Sequence, residues 1–467
     1  MVTQASAGDR DRLKLVLAVT FALAVGIGVG LRPTATFVIV AVVAGAAACL
    51  LLPQRHLPVL LMAITIVMPS LVLEGVAGSG QARAVIAILV LALVRASMAR
   101  PRIAVPGILP LTIGAAVGLM LMTALIASSR PPTQVGSTAD LQRDLSYPFA
   151  AVVGFLGGAA ARSERASLAI ARGFGFLALV AAMLSIWYWA WRTSGITPLN
   201  SALFSRVNAA FSSSPRSVFP FAADFPNVGA VLFVMMATFS APPLMMATAV
   251  RDRALGLLVV VACLAAAITT QSRTGVFAAL AAALVYLVLV KRAGGRRSTV
   301  AVILVLLAGA GGYVFSTFPA ERASTDTLRS RVAIWRQAER AFLHDPIIGH
   351  GYDYSLKGNF VEPYNLGVAS HAQSTHSDLV SSLVDGGVIG ATIFVSVLVL
   401  MAVIARRAVA DTVVRPFGIG YSCMLSALVV GGIDNTLSQS AAVTTFEWIA
   451  FGLIVGLTCG GYRATAR

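Results

Sequence analysis

"AAAITTQSRTGVFAALAAAL", residues 265–284, decides the fold. Two apolar runs, each long enough to belong to a membrane helix, are joined by a few polar residues with Arg273 among them. A strand or a water-exposed helix would carry polar residues at period 2 or 3.6, and these runs carry almost none. An arginine near hydrocarbon is costly unless it snorkels to the interface, pairs with an anion or faces a cavity. The stretch therefore reads as two membrane helices joined at one surface, with a cation held at the join.

The rest of the chain extends that reading. Of 467 residues, 58% are apolar and 12% charged, with a mean hydropathy of +0.85. A soluble domain carries about 25% charged residues, so this chain has too few to coat a water-soluble globule. The expected fold is an all-α integral membrane protein with about 12–14 transmembrane helices. Spans are expected near 13–30, 34–53, 57–73, 84–99, 106–127, 147–163 and 167–191. A second set falls near 227–249, 254–271, 275–290, 299–318, 381–404, 413–432 and 441–460. The first run follows a short basic stretch and is read as a retained helix, not a cleaved leader.

Loop charge sets the orientation. With both termini in the cytoplasm, cytoplasmic segments hold about 21 Lys and Arg and the short external loops about 8. The net charge of +16 is mostly this topology signal. Dispersed over short loops, it argues against nucleic acid and suits anionic membrane lipid. Cys49, Cys263, Cys423 and Cys459 lie in apolar runs without metal-ligand spacing and read as small buried core residues.

The chain then divides into transmembrane helices over 1–318, interrupted by an external loop at about 193–226; a large external loop at 319–380; and C-terminal helices over 381–467. In the large loop, Leu328 to His344 places Val332, Trp335, Ala338 and Phe342 at three- and four-residue steps, an amphipathic helix decorated by Arg329, Arg331, Arg336 and Arg340. It reads either as an interfacial helix with its cations toward headgroups or as one whose arginines reach a ligand. His344, His350, His371 and His376, four of the chain's five histidines, fall in this loop. The earlier loop offers Arg206, Arg216, Asp224 and Asn227, with Pro226 placed to start a helix.

Three segments in order, "SRTG" at 272–275, "RVAIWRQAERAFLHDPIIGHG" at 331–351 and "HSDLVSSLVDGGVIG" at 376–390, resemble the O-antigen ligase and polymerase superfamily. The resemblance rests on Arg331 and Trp335, then Pro346, Gly349 and Gly351, then His376 and Val380, and finally Asp385, Gly387 and Gly390. Ser377 stands where the family pattern has Asn, and Val380 where it has Leu. "FPN" at 225–227 resembles the family's Pro-Asn element. The match spans roughly residues 200–400.

The resemblance implies transfer of a glycan from a polyprenyl-diphosphate carrier to a hydroxyl of a glycolipid, glycan or protein acceptor, on the outer face of the cytoplasmic (inner) membrane. That chemistry needs fixed cations for the diphosphate leaving group, which guanidinium groups supply, and a base that titrates near neutrality, which is histidine. Arg273, Arg216 and Arg331 are the expected diphosphate ligands and His376 the expected catalytic base. Arg206 competes with Arg216, His371 is the alternative histidine, and Asp385 is a further candidate. No metal site and no cofactor is implied. A polymerase of the same superfamily differs only in acceptor. A lipid-linked glycan flippase is the non-enzymatic rival, although transporters concentrate polar residues near the membrane midplane, not at one face.

Overall fold

The computed structural model describes residues 52–67, 90, 93, 105–131, 135–161, 163–194, 226–270, 272–292, 325–356, 359–361, 372–373, 375, 377–432 and 441–459. In chain order these form helices α1 (Leu57–Val67), α2 (Ile108–Ala127), α3 (Thr138–Ser146), α4 (Ala150–Ala160), α5 (Glu164–Ser194) and α6 (Pro226–Met245). They continue with α7 (Val250–Thr269), α8 (Arg273–Arg292), α9 (Thr325–His344), α10 (Asp378–Ala410), α11 (Arg415–Gly431) and α12 (Ala441–Cys459). A two-residue antiparallel pair, β1 (Phe360–Val361) and β2 (Ala372–Gln373), is the strand structure of the described residues. Helices α2, α5, α6, α7, α8, α10 and α12 are long and apolar enough to cross a membrane. The chain is an all-α, multi-pass membrane protein.

Expected spans at 13–30 and 299–318 lie outside the described residues, as do 34–53 apart from residues 52–53 and 84–99 apart from residues 90 and 93. The span expected at 147–163 is helical only over Ala150–Ala160. Eleven residues rise about 16 Å, half a bilayer core, and α4 is instead embedded in protein, with nearly all its residues buried. It runs parallel to α12 at close quarters. A Cβ at Gly154 would strike the Ile449 carbonyl and one at Gly158 the Leu453 carbonyl; in return, one at Gly452 would strike the Ala151 carbonyl and one at Gly456 the Phe155 carbonyl. This is small-residue packing from both sides, which lets two backbones touch where hydrocarbon offers no hydrophobic drive.

The centre of the bundle is closed by Phe174, Phe239 and Phe446 from α5, α6 and α12, with ring centroids 5.5–5.7 Å apart and two of the three pairs edge-to-face. Leu111, Leu121, Leu125, Leu257, Phe277, Leu284 and Val399 point outward as an apolar belt. Cys263 and Cys423 are buried as expected, whereas Cys459 is exposed where α12 ends and the packed core runs out; Cys49 lies outside the described residues.

The helices alternate between two ends. One end gathers Arg55, Arg251, Arg253, Arg406, Arg407 and Arg415 on or beside helix termini. Here Arg172 on α5 grips Asp252 on α7, Nε to Oδ1 at 2.7 Å and Nη2 to Oδ2 at 2.8 Å. Asp252 is only 2% exposed, so Arg172→Met takes a two-point guanidinium contact away from a buried carboxylate. A loss of about 3–5 kcal/mol is expected, read as a lower melting midpoint in detergent, with recovery when Asp252→Leu is added.

The other end carries α3, α9, the strand pair, and the start of α6, α8 and α10. Gly275 at the start of α8 lies against Ala230, one turn into α6, and Gly432 after α11 lies against the Asp378 carboxylate that opens α10. Pro226 and Asn227, Ser272–Gly275 and Ser377–Leu379 are thus at one end of the bundle.

Candidate active site

The end of α7 and the cap of α8 explain how Arg273 is held. Thr269 and Thr270 donate their hydroxyls back to the carbonyls of Ala266 and Ala267 at 2.7 and 2.6 Å, finishing α7. The buried Ser272 then accepts from the Gly275 N–H at 3.2 Å and starts α8 as an N-terminal cap. Arg273 is the first residue of α8 and half-buried. Its charge sits on the positive end of a membrane helix, a place that favours an anion over a second cation.

On α9 the buried stripe is Ile334 and Ala338 with Trp335 and Ala341 beside it, packed on Phe360, Val384 and Tyr354. The expected stripe through Val332 and Phe342 is corrected accordingly: Val332 is 38% exposed, because at 100° per residue it faces away from the 334–338–341 line. The apolar side of α9 is covered by protein, so the helix is docked on α10 and β1. Arg331 lies half-buried one turn before Trp335.

Trp335 donates Nε1–H to the Thr375 carbonyl at 2.9 Å, and the Thr375 hydroxyl is 2.6 Å from that of Ser381. On the far side of position 376, Ser377 has extended backbone and caps α10, its hydroxyl accepting from the Val380 N–H. Asn and Ser both fill this role well, which explains why Ser377 is an acceptable departure from the family pattern. Position 376 thus lies between two pinned residues. Trp335→Phe removes the donor from a buried carbonyl, at about 1–3 kcal/mol. We expect transfer per molecule of protein to fall about tenfold, matching about 1.4 kcal/mol, with kcat affected more than KM.

Helix α10 is broken at Gly387, whose φ is +62°. The turn after α9 mends the break through its backbone. The N–H groups of His350 and Gly351 donate to the carbonyls of Val384 and Asp385 at 2.8 and 2.9 Å, while those of Val388 and Ile389 donate to Pro346 and Ile347 at 2.9 and 3.3 Å. Irregular backbone at membrane depth survives only when protein satisfies it in this way. Gly349 (φ +73°) brings its Cα so close that a Cβ would lie 2.5 Å from Asp385 backbone atoms, and a Cβ on Gly387 would strike Ile347. Gly349→Ala combines left-handed strain with overpacking; a loss of roughly 2–6 kcal/mol is expected, measured by a lower melting midpoint and faster proteolysis after α9.

Asp385 faces the same turn. Its carboxylate accepts from the Ser355 N–H at 2.7 Å and from the Ser355 hydroxyl at 2.9 Å, so its contacts here fasten the loop to α10. Nearby, Tyr352 donates its hydroxyl to Asp144 at 2.6 Å and its N–H to the Thr123 carbonyl. Arg130 reaches Asp345 at 2.6 Å. The hydrogen bond from His344, joined by Arg130, holds the Asp345 carboxyl below the usual carboxylate range against a partly opposing desolvation.

Of the expected site residues, the structure brings Arg273, Arg331 and Asp385 to one end of the bundle. Arg206, Arg216, His371 and His376 lie outside the described residues. Trp335 and Ser377 were visible in the sequence only as motif letters; the bond from Trp335 to Thr375 and the cap made by Ser377 appear with the fold.

No curated protein matches the chain. Residues 258–395 match the O-antigen ligase family model; the matched stretch runs from the middle of α7 through α8, α9 and the mended turn to the first half of α10. This segment, about a third of the chain, is what is similar to the O-antigen ligase family.

Proposed function

We propose that the chain transfers a glycan from a polyprenyl-diphosphate carrier to an acceptor hydroxyl at the external face of the inner membrane, with both termini cytoplasmic and the 319–380 loop external. The single observation that carries this is the shared end of Arg273, Trp335 and the capped start of α10. Arg273 and the fastened residues Thr375 and Ser377 stand at the same end of the bundle, which supports a site where a membrane-anchored donor presents its headgroup.

In this reading the acceptor oxygen attacks the anomeric carbon of the donor sugar. The bond from that carbon to the diphosphate oxygen breaks as the new glycosidic bond forms. His376 takes the acceptor proton, and polyprenyl diphosphate leaves with the bonding electron pair. Arg273, Arg331 and Arg216, or Arg206 in place of the last, neutralise the charge that grows on the leaving group. A glycolipid or protein acceptor makes the chain a ligase, the reading we favour; a second lipid-linked glycan makes it a polymerase.

The test compares lipid-linked and finished glycans by mass spectrometry in cells with the gene deleted and in cells carrying it. Accumulated lipid-linked glycan on the outer leaflet and one missing finished product support the reading, and the missing product names the acceptor. Glycan trapped on the cytoplasmic leaflet makes the chain a flippase.

A further inference from the structure

Three side chains with metal-binding chemistry meet where α9 ends. His344 Nδ1 lies 3.1 Å from Asp345 Oδ2 and His350 Nδ1 lies 3.4 Å from the same oxygen. One ligand atom from each residue falls within 4.8 Å of the other two. His350 is 5% exposed, and its ring is stacked between those of His344 and Tyr354, with centroids at 5.9 and 4.5 Å.

The tautomer of His350 is set by its other nitrogen. Nε2 is 2.7 Å from the Ala341 carbonyl oxygen; a carbonyl only accepts, so Nε2 carries a proton. In neutral imidazole Nδ1 is then a bare lone pair. That atom is buried, makes no hydrogen bond, and faces a carboxylate oxygen. Two lone pairs facing each other at 3.4 Å repel, and a cation between them turns the repulsion into two bonds.

We propose that His344, Asp345 and His350 bind a borderline divalent cation of the zinc class, with a fourth position open to water. Bonds of about 2.0–2.1 Å in tetrahedral geometry put ligand atoms about 3.3–3.4 Å apart, close to the 3.1 and 3.4 Å between the two Nδ1 atoms and Asp345 Oδ2. A ligand histidine usually donates its second N–H to a carbonyl or carboxylate, as His350 does to Ala341. His344 is 74% exposed on its side chain, which supplies an entry path. Arg130 donates to the same Asp345 Oδ2 at 2.6 Å, and the second lone pair of that oxygen is the one left for the cation. Two imidazoles and one carboxylate disfavour magnesium and calcium, which take oxygen ligands. The ion would tie the last turn of α9 to the 346–351 turn that mends α10, and this role is independent of the transfer chemistry.

The test uses the full chain in detergent, purified without a polyhistidine tag, stripped with chelator and titrated with Co²⁺ while tetrahedral d–d absorption is followed. We expect one Co²⁺ per chain, displaced by Zn²⁺, with affinity weaker in His344→Ala and in His350→Ala by more than the roughly 10–100-fold that loss of an outer-shell partner costs. His344 is exposed, so its variant keeps the fold if the buried His350→Ala does not. Zn²⁺ is also expected to raise the melting midpoint of the wild type and not that of His344→Ala. No saturable uptake by the wild type, which is the result if His350 is simply a doubly protonated partner of Asp345, overturns the proposal. Uptake unchanged in His344→Ala overturns it equally.

Discussion

His376→Ala is expected to lower glycan transfer by about 10²–10⁴-fold, the usual contribution of a positioned general base, while donor binding stays close to that of the wild type. The split follows from the proposed division of labour, in which the histidine acts on the acceptor hydroxyl and the arginines hold the donor. The neighbours of position 376 are fixed by groups other than the histidine, through the Trp335 bond to the Thr375 carbonyl and the Ser377 cap on α10. The substitution therefore removes a base without dismantling its support. Transfer is measured as glycan joined to acceptor per molecule of enzyme, and donor binding by retention of a radiolabelled lipid-linked glycan. Full activity in the variant moves the base to His371 or to no histidine at all.

Arg273→Ala is expected to lower kcat by about 10²–10³-fold, the cost of removing one fixed donor from a charge that develops in the transition state. Negative charge on the diphosphate rises as the glycosidic bond breaks, so kcat should fall more than the apparent KM rises. Arg273→Lys separates the two roles the residue could have. A side chain that only snorkels to lipid phosphate is replaced well by lysine. One that holds a diphosphate through its planar fork is not, and activity then stays at least about tenfold below wild type. The start of α8 remains capped by Ser272 in either variant, so the melting midpoint should be close to that of the parent. A lysine variant as active as the parent would reduce Arg273 to a membrane anchor.

Hydropathy made most of the membrane architecture legible. Ten of the fourteen expected spans have a helix at their positions among the described residues, and the turn holding Arg273 falls where the polar residues 269–274 placed it. Boundaries moved where composition misleads. Helix α10 runs past 404 to Ala410 because Arg406 and Arg407 extend beyond the apolar run while keeping helical backbone. Helix α4 stops short because Gly154, Gly157 and Gly158 are there for close packing, and an apolar glycine-rich run looks like a span.

The mended break in α10 was not legible. Its hydrogen bonds join backbone groups of residues 346–351 and 384–389, and backbone pairing across such a separation leaves no side-chain pattern. What it does leave is Gly349 and Gly387, motif letters whose physical reason is that neither position has room for a Cβ. The Trp335 bond to the Thr375 carbonyl was hidden for the same cause, since any residue at 375 supplies a carbonyl. The His344–Asp345–His350 cluster has no familiar ligand spacing, because its geometry comes from the turn after α9.

The most direct test of the central claim is reconstitution of the full chain in liposomes with a polyprenyl-diphosphate-linked glycan and a candidate acceptor, following diphosphate carrier and glycosylated acceptor together. The account predicts one polyprenyl diphosphate released for each glycan joined to acceptor, in wild type and not in His376→Ala. Movement of intact lipid-linked glycan across the bilayer with no carrier released would contradict it.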